Sequence, residues 1–462
     1  MQTRALIRLV LLLLSMCAPV AHADLYSAQQ AYDNKDFNKA FELYRELAEL
    51  GQMNAQENLA LMYVAGEGVT RNNLLGYAWA SIALENGGGE SMRAIVAQLE
   101  PHITEKSRLQ INELKARFGR EGLRKALLPD IFANASYIDR EPCRILKGIP
   151  SRYPDHAFRS GIQGNAYVEV TVMPDGSGRN PRVIYAVPAG EFEEAARETA
   201  LKTRYTPART RKGALVPCTM AFLVRYEISG NNATDYPRLD NFVEQTHVKA
   251  EAGDPRAQML YGLLLSGVPQ LKKTRSDAMP WFLKSAQAGM PSAQFAVGYS
   301  IMQGWGCQCE EPKGLVWLHK AAAADQSDAQ VALANYLLRD EPGPEEVAKA
   351  MKWLERAVAS GNREAKFYLA ALLAAGPDPT PRDPARAMNL LKQVMRDVDV
   401  DPTAFEIRAA AQAMAGDFKA ALADQGRALR MAQRLEWEVA SQESRLKAYE
   451  TGKPWTGDLF AF

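Results

Sequence analysis

Apolar residues recur at helical spacing through most of the chain. Over residues 25–134 they fall three or four positions apart, and the spacing returns over 242–396 and, more loosely, over 403–449. The first helices bury one face each, formed by Ala31, Phe37, Ala40, Phe41, Tyr44, Leu47 and Ala48. The pattern therefore predicts helical segments on both sides of the middle of the chain.

Residues 141–229 change to a two-residue period. Val168, Val170 and Val172 alternate with other residues, which is typical of a half-buried strand. Pro174-Asp175-Gly176 follows directly and predicts a turn. The middle of the chain is therefore expected to contain β-structure that the flanking segments lack.

The rest of this region predicts a returning strand, a helix and a last strand. The returning strand is expected over 183–187, the helix over 191–203 and a final β-rich run over 217–228. This order predicts a small α+β domain. The polar segment 230–241 follows and is predicted to be a linker.

A fixed period of 36 residues marks the second helical region, because Trp281, Trp317 and Trp353 stand at that spacing. A period of this length indicates stacked helical hairpins, none of which buries its apolar face alone. The unit also occurs earlier, since Ala55 precedes Trp79 by 24 residues, as Ala257 precedes Trp281. The same 36-residue step places an alanine before a polar residue at Ala257-Gln258, Ala293-Gln294, Ala329-Gln330 and Ala365-Lys366.

The helical repeats resemble the Sel1-like branch of the tetratricopeptide superfamily over residues 25 to about 90 and 245–396. Members of this family are mostly adaptors, so the resemblance implies a scaffold that presents an extended surface to protein partners. The segment 403–449 looks like an ordinary tetratricopeptide unit and is expected to cap the array. Besides the 36-residue columns, the resemblance is carried by Ala55, Leu59, Met62, Tyr63, Gly66, Gly68, Val69 and Trp79.

The middle domain resembles the C-terminal domain of TonB energy transducers. In that family the domain lies in the periplasm and pairs an edge strand with a short peptide of an outer-membrane receptor. We expect no energy transduction here, because the sequence shows no long N-terminal membrane helix and no Pro-rich spacer. The resemblance is carried by Tyr153-Pro154, Ala157, Gly161, Gly164, Val168, Val170, Val172, Asp175-Gly176, Val183, Phe192, Ala195-Ala196, Tyr205, Pro207-Ala208 and Gly213.

Strand capture is the property that the second resemblance implies for this chain. An exposed edge offers backbone N–H and C=O groups to an extended peptide. We predict that the last strand of the domain provides this edge. Its predicted partner-binding residues are Cys218, Met220, Phe222, Val224, Tyr226 and Ile228.

The first 23 residues are predicted to be a secretory signal. Arg4 and Arg8 supply the positive start, Leu9–Met16 is a short apolar run, and Ala21-His22-Ala23 is a small-x-small cleavage site. A lipoprotein anchored at Cys17 is the alternative, since Leu14-Ser15-Met16-Cys17 resembles a lipobox. Export by a signal peptide would place the protein in the periplasm of a Gram-negative bacterium.

The predicted organisation after the signal has five parts. Helical repeats over 24–135 precede the TonB-like α+β domain at 141–229 and the linker at 230–241. Repeats of 36 residues follow over 242–396, and a helical cap over 397–462 ends the chain. The fold class expected from this order is mainly α, with solenoid segments flanking one small α+β domain.

Charge and chemistry exclude several function classes. The formal net charge of +1 becomes −1 without Arg4 and Arg8, which argues against a phosphate-driven nucleic-acid binder. No catalytic constellation, cofactor motif or phosphate-binding loop is found, so we expect no enzyme activity, no cofactor, no metal and no small-molecule substrate. Four histidines lack metal-ligand spacing, and six basic residues are interpreted as a solvated face: His102, His156, His247 and His319, and Arg197, Lys202, Arg204, Arg209, Arg211 and Lys212.

Two cysteine pairs are candidate disulfides in an oxidising compartment. Cys143 and Cys218 stand at opposite ends of the α+β domain, and we predict a bridge between them. Cys307-Gln308-Cys309 follows a Gly-x-Gly turn. A local structural bridge is favoured there, and a redox handle or half of a metal site are the alternatives.

Three functions follow as hypotheses. The first is a non-enzymatic periplasmic adaptor that binds envelope or outer-membrane proteins or peptides. The second is a TonB-type envelope transport component without its own motor anchor. The third, a peptidoglycan-binding envelope protein, is supported by compartment and fold analogy alone.

Overall fold

The protein is described from a computed structural model. The described residues are 25–131, 140–141, 143–187, 190–210, 213–226, 228, 236–267, 271, 273–339, 342–376, 382–395 and 401–457. The predicted signal sequence, Cys17, Arg211 and Lys212 lie outside the described residues. The chain divides into two compact units, Met1–Leu128 with Lys284–Met290, and Pro129–Leu283 with Pro291–Phe462.

The first unit is helical wherever it is described. Between Glu90 and Leu127 it has three helices and a 3-10 turn, because Pro101 and Gly119 interrupt the run. The helices of this unit are α1 (Leu25–Asp33), α2 (Phe37–Glu49), α3 (Met53–Ala65), α4 (Asn73–Glu85), α5 (Glu90–Leu99), α6 (Glu105–Phe118) and α7 (Arg120–Ala126).

The α+β domain opens the second unit. Its strands are β1 (Arg140–Glu141), β2 (Arg144–Lys147), β3 (Gly164–Val172), β4 (Gly178–Val187), β5 (Arg204–Thr206), β6 (Ala208–Thr210), β7 (Leu215–Val216) and β8 (Cys218–Tyr226). Two helices, α8 (Asp155–Arg159) and α9 (Glu193–Lys202), complete the domain. The main sheet is antiparallel with the order β4–β3–β8, so the predicted strand, strand, helix, strand core is found.

Helices account for the rest of the second unit. They are α10 (Tyr236–Glu251), α11 (Pro255–Gly267), α12 (Arg275–Gln287), α13 (Pro291–Gln303), α14 (Glu311–Ala323), α15 (Ser327–Leu337), α16 (Pro344–Ala359), α17 (Arg363–Ala375), α18 (Pro384–Val394), α19 (Pro402–Met414), α20 (Phe418–Arg434) and α21 (Ala440–Glu450). From α13 to α20 each helix packs against the next along the chain. The predicted fold class, mainly α with repeat segments that flank a small α+β domain in sequence, is confirmed.

The predicted linker at 230–241 is wrong in its second half. Helix α10 already begins at Tyr236. Pro237 lies in the first turn of this helix, where its missing N–H has no intrahelical partner to lose. The segment expected to be one tetratricopeptide unit holds three helices, since α21 packs beside α19 and α20.

The periodic Ala-Gln pair has a structural explanation. The Gln330 side chain is buried and its amide donates a hydrogen bond to the Ala322 carbonyl at 3.0 Å. Gln56 donates in the same way to Ala48, at 3.0 Å, and Gln258 to Ala250, at 3.1 Å. Each acceptor lies in the last turn of the preceding helix, where carbonyls lack intrahelical partners. The repeated glutamine therefore joins the two helices of a hairpin.

The Gly-x-Gly turns need glycine because their backbone lies very close to the backbone of an earlier helix. Gly306 has φ +75°, and a Cβ there would lie 2.5 Å from the Arg275 carbonyl carbon. Gly68 has φ +69°, and its Cβ would lie 2.0 Å from the Phe37 carbonyl oxygen. Any side chain would clash and would also strain the left-handed backbone. The turn can therefore pack onto the start of an earlier helix only as glycine.

Candidate protein-interaction surface

The α+β domain has one apolar core between its sheet and helix α9. Val168, Val170 and Val172 of β3 are fully buried against Phe192 and Ala196. These valines are the residues whose alternation predicted the strand. The sheet is therefore held rigidly on one side by its own helix, as in other two-layer α+β domains.

The predicted bridge between Cys143 and Cys218 is confirmed. The two cysteines form a disulfide with their Cα atoms 6.3 Å apart. It fastens the first residue of β8 to the segment just before β2. The start of the predicted edge strand is therefore crosslinked to the N-terminal segment of the domain.

Strand β8 is an edge of the main sheet. It pairs with β3 from Gly164↔Tyr226 to Val172↔Cys218, and the described residues contain no strand paired on its other side. Every second residue of such an edge directs its backbone N–H and C=O groups away from the sheet. Its outer backbone groups therefore have no strand partner among the described residues.

The side chains of the predicted edge set are directed into the domain. Cys218, Met220 and Phe222 pack against the core, and Val224 and Tyr226 are buried in it. Ile228 follows the strand, and its N–H donates to Gln163 Oε1 at 3.2 Å. Strand capture at β8 would thus depend on backbone pairing and on side chains of the other face, such as the exposed Arg225.

The second face of the sheet is also buried, which the sequence pattern did not predict. Tyr167 and Glu169 alternate with the core valines on β3, yet they are only 7% and 6% exposed. Repeat helices cover them, because Phe295 and Tyr299 of α13 line a cavity together with both residues. The α+β domain is therefore docked onto the repeat helices of its own unit.

Arg182 of β4 is the centre of this docking contact. Its Nε and Nη2 donate to Glu169 Oε1 at 3.2 and 2.9 Å, and its Nη1 lies 3.8 Å from Asp328 Oδ2 on α15. The guanidinium also lies over the rings of Phe295 and Tyr299, 5.5 and 5.9 Å from their centroids. Planar, delocalised charge suits this combination of carboxylates and rings.

Glu364 of α17 belongs to the same charged cluster. Burial raises its pKa to about 7; Arg182 opposes the shift, and the carboxylates of Asp328 and Glu169 add to it. Neighbouring Tyr368 has its pKa raised mainly by burial. Glu364 therefore changes charge near neutral pH at the edge of the docking contact.

A second contact joins the α+β domain to the cap. The backbone N–H of Glu438 donates to Asp175 Oδ2 at 3.0 Å, and the Arg179 guanidinium lies 4.3 Å from the Trp437 ring centroid. Trp437 is buried together with Leu201 of α9. Burial works against ionisation of Asp175, but hydrogen bonds from Ser177 and Glu438 lower its pKa overall.

The basic residues of the domain mostly have partners within the chain. Arg197 pairs with Glu194 at 3.2 Å, and Lys202 pairs with Glu198. Arg204 donates to the Glu436 carbonyl at 3.1 Å. The carboxylates neutralise Arg197 and Lys202, whereas Arg204 and Arg209 bond only to backbone carbonyls and keep their positive charge.

Metal-ligand clusters and membrane helices are not found among the described residues. No three His, Cys, Asp or Glu residues there lie close enough to hold a metal ion. His247 stacks on Tyr261 at 4.6 Å, and the His156 ring lies 3.2 Å from Glu191. Within the same residues, no helix combines the length and hydropathy needed to cross a bilayer.

The predicted bridge between Cys307 and Cys309 is wrong. Cys307 is buried in an extended segment that pairs with Ile131, and its thiol donates to the Ser300 carbonyl at 3.9 Å. The Cys309 thiol contacts a different carbonyl, that of Met302, at 3.3 Å. Burial raises the pKa of Cys307 to about 12, so the thiol does not ionise to the reactive thiolate at neutral pH.

Comparison with protein families identifies both kinds of domain. The family described as "Gram-negative bacterial TonB protein C-terminal" matches residues 150–228. The chain carries Sel1 repeats and a TonB C-terminal domain. The Sel1 repeat matches residues 25–52, 54–88, 291–326, 327–362 and 363–393.

Solved structures give more distant similarities. A protective antigen of uropathogenic Escherichia coli strains with an SLR fold is 16% identical, with a TM-score of 0.37 over 94% of this chain and 76% of that chain. A Sel1 repeat protein from Oxalobacter formigenes is 21% identical, with a TM-score of 0.34 over 42% of this chain and 82% of that chain. No curated protein matches the chain.

The matches fix the general character of the protein. Sel1 repeats mediate protein–protein interaction and are generally found in non-enzymatic scaffolds. The TonB C-terminal domain indicates the envelope of a Gram-negative bacterium. The sequence analysis did not identify Arg182 and Glu169 as contact residues. Their only signal is one positive and one negative side chain on adjoining strands, on the sheet face that the alternating pattern predicts to be exposed to solvent.

Proposed function

We propose that this protein is a non-enzymatic periplasmic scaffold whose TonB C-terminal domain captures an extended peptide along β8. The observation that supports the proposal most is that none of the described strands pairs with the outer side of β8, in a sheet that is covered on both faces. An edge that is held rigidly loses little conformational freedom when a strand is added. The partner class is an envelope or outer-membrane protein with an extended segment.

The docking of the domain onto the repeats gives the scaffold a defined geometry. Arg182 and Asp328 join β4 to α15, and Asp175 and Glu438 join the β3–β4 turn to the cap. A strand bound at β8 would therefore be held in a fixed position relative to the Sel1 helices of the same unit. The repeats could then contact a folded part of the same partner, and two linked contacts would strengthen binding by avidity.

The test is site-specific photo-crosslinking in cells, with the export of the chain checked by fractionation. A crosslinking residue replaces Arg225, which is exposed on β8, or Val316, which is 38% exposed on α14. Lys349 on the exposed face of α16 is the matched control position. We expect a partner adduct at position 225 that the control lacks.

Three outcomes would contradict the proposal. A partner crosslinked at position 316 and never at position 225 would assign binding to the repeats and leave the TonB edge without a role. Retention of the chain in the cytoplasmic fraction would exclude the periplasmic location. Recovery of an inner-membrane motor protein at position 225 would favour the transport component instead.

A further inference from the structure

A cavity of about 350 Å³ lies between the sheet of the TonB domain and the Sel1 helices, and it extends to the edge strand β8. Ala221 of β8 and Glu169 of β3 line it from the sheet. Met259, Phe282 and Phe295 are among the residues that line it from the helices. Its volume lies in the range of sites that hold one small organic group. The cavity therefore connects the proposed strand-binding edge to an apolar space under the sheet.

The Sel1 helices cover this face of the sheet less completely toward β8. On β3, Tyr167 and Glu169 are only 7% and 6% exposed. Their partners on β8, Leu223 and Ala221, are half-buried, and Arg225 of the same strand is exposed. The side of the cavity that Ala221 forms is therefore less covered than the side under β3.

The charged groups that line the cavity are matched with one another. Arg182 donates to Glu169 at 2.9 Å and lies 3.8 Å from Asp328. Arg275 lies over the Trp305 ring, 3.7 Å from its centroid. Two arginines thus balance two carboxylates, so a charged group that entered the cavity would lose water without gaining an unmatched counterion. An apolar group would avoid this cost and would be stabilised by burial.

We propose that the cavity is the specificity pocket for strand capture and holds one large apolar side chain of the captured peptide. This inference rests on strand capture at β8 as proposed above. Residues that face each other on paired strands place their side chains on the same face, with Cβ atoms about 5 Å apart. A peptide residue opposite Ala221 would therefore direct its side chain toward the Sel1 helices. Backbone pairing would supply affinity, and this side chain would select among extended segments.

The test is fluorescence anisotropy of labelled peptides titrated with the full chain. The peptides have the form Lys-Lys-Thr-Xaa-Thr-Xaa-Thr-Xaa-Thr-Lys-Lys, in which Xaa is phenylalanine, alanine or glutamine. All three carry the same charge, and the alternation presents Xaa to one face in every register. We expect the phenylalanine peptide to bind at least about tenfold more tightly than the alanine peptide, and the glutamine peptide no more tightly than the alanine peptide.

The outcomes separate the pocket from strand capture itself. Binding of the phenylalanine peptide no tighter than either of the others would overturn the pocket and leave strand capture standing. No binding of any peptide at about 1 mM would contradict strand capture, and the pocket with it. N-acetylphenylalaninamide is a further probe. If it bound as tightly as the phenylalanine peptide, the cavity would be a small-molecule site that needs no strand, and the proposal would be wrong.

A filled cavity is the decisive variant. Ala296→Leu adds apolar volume to the cavity without changing a charged group, so it should remove the preference for phenylalanine and leave the affinity for the alanine peptide unchanged. Ala359→Leu, at an exposed position on α16, should change neither affinity. A full preference for phenylalanine in Ala296→Leu would show that the side chain binds elsewhere.

A photo-crosslinking peptide tests the same point in the unaltered chain, so the result does not depend on the folding of a variant. Photo-leucine replaces the three phenylalanines, and mass spectrometry locates its adducts. We expect adducts on cavity residues such as Met259, Phe282 and Phe295, and their loss when excess phenylalanine peptide competes. Adducts confined to residues outside the cavity would refute the pocket.

Discussion

Replacing Arg182 by methionine should open the contact between the TonB domain and the Sel1 helices. The side chain of Arg182 is 19% exposed and that of Glu169 is 7% exposed, so the pair is largely removed from water. Breaking such a pair leaves a buried carboxylate uncompensated, which costs about 3–5 kcal/mol. Residual exposure of Arg182 favours the lower end of this range, about 3 kcal/mol.

Hydrogen exchange measured by mass spectrometry reports this change locally. A chain of several domains does not unfold in two states, but amides of β3 and β4 report the free energy of opening at the contact itself. A loss of about 3 kcal/mol would speed their exchange by roughly a hundredfold, since each 1.4 kcal/mol is a factor of ten. The double variant Arg182→Met/Glu169→Gln should recover part of the loss, because the unpaired carboxylate is gone.

Arg386→Met is the matched control. Arg386 pairs with Glu355 between α18 and α16, but the two side chains are 45% and 35% exposed. Surface pairs of this kind contribute about 0–1 kcal/mol. If Arg182→Met accelerated exchange over β3 and β4 no more than Arg386→Met does, the docking contact would not depend on this ion pair, and the interpretation would be refuted.

Three further changes test separate parts of the structure. Gln330→Leu removes one of the two hydrogen bonds that the Ala322 carbonyl accepts, the other coming from the Asp325 N–H, and should cost about 0.5–1.5 kcal/mol, seen as faster hydrogen exchange over α14 and α15. Lys366→Leu, at the equivalent position of the next repeat, should cost much less. The Cys143→Ala/Cys218→Ala variant removes a crosslink between residues 75 apart and should destabilise the TonB domain by about 4 kcal/mol, seen as faster exchange over β8; unchanged exchange would contradict this. Burial raises the pKa of Glu364 to about 7 in the folded state, whereas the unfolded carboxyl ionises above about 4.5. Between these two values the folded state binds a proton that the unfolded state has released. The stabilising effect of protonated Glu364 is therefore complete below about pH 4.5 and is lost as pH rises toward 7. Wild-type protein should therefore lose about 1–3 kcal/mol relative to Glu364→Gln between pH 5 and 8, and parallel pH profiles of the two proteins would exclude this role.

The sequence predicted the repeats because stacking imposes a period that each unit must repeat. Trp317 is fully buried, and the buried Gln330 joins α15 to α14. Both residues are therefore fixed by local geometry that recurs every 36 positions. Alternating valines predicted β3 for the same reason. Patterns of this kind report contacts within one repeat or one sheet, and they predict the fold accordingly.

Contacts between distant segments leave no such pattern. Glu169 and Arg182 occupy positions that a two-layer domain would leave in water, and only the docking of α13 and α15 buries them. The wrong bridge at Cys307 has a similar origin, because the pairing of its backbone with Ile131, 176 positions earlier in the sequence, sets the local conformation. The cavity is formed by both domains together, so neither sequence segment could predict it alone.

Coverage of both faces of the sheet leaves its edges as the surfaces for strand addition. Helix α9 occupies one face and the Sel1 helices occupy the other, while Arg182 of β4 pairs with Asp328 of α15. A partner strand could not displace α9 without opening the domain core. Addition at β8 does not require this change.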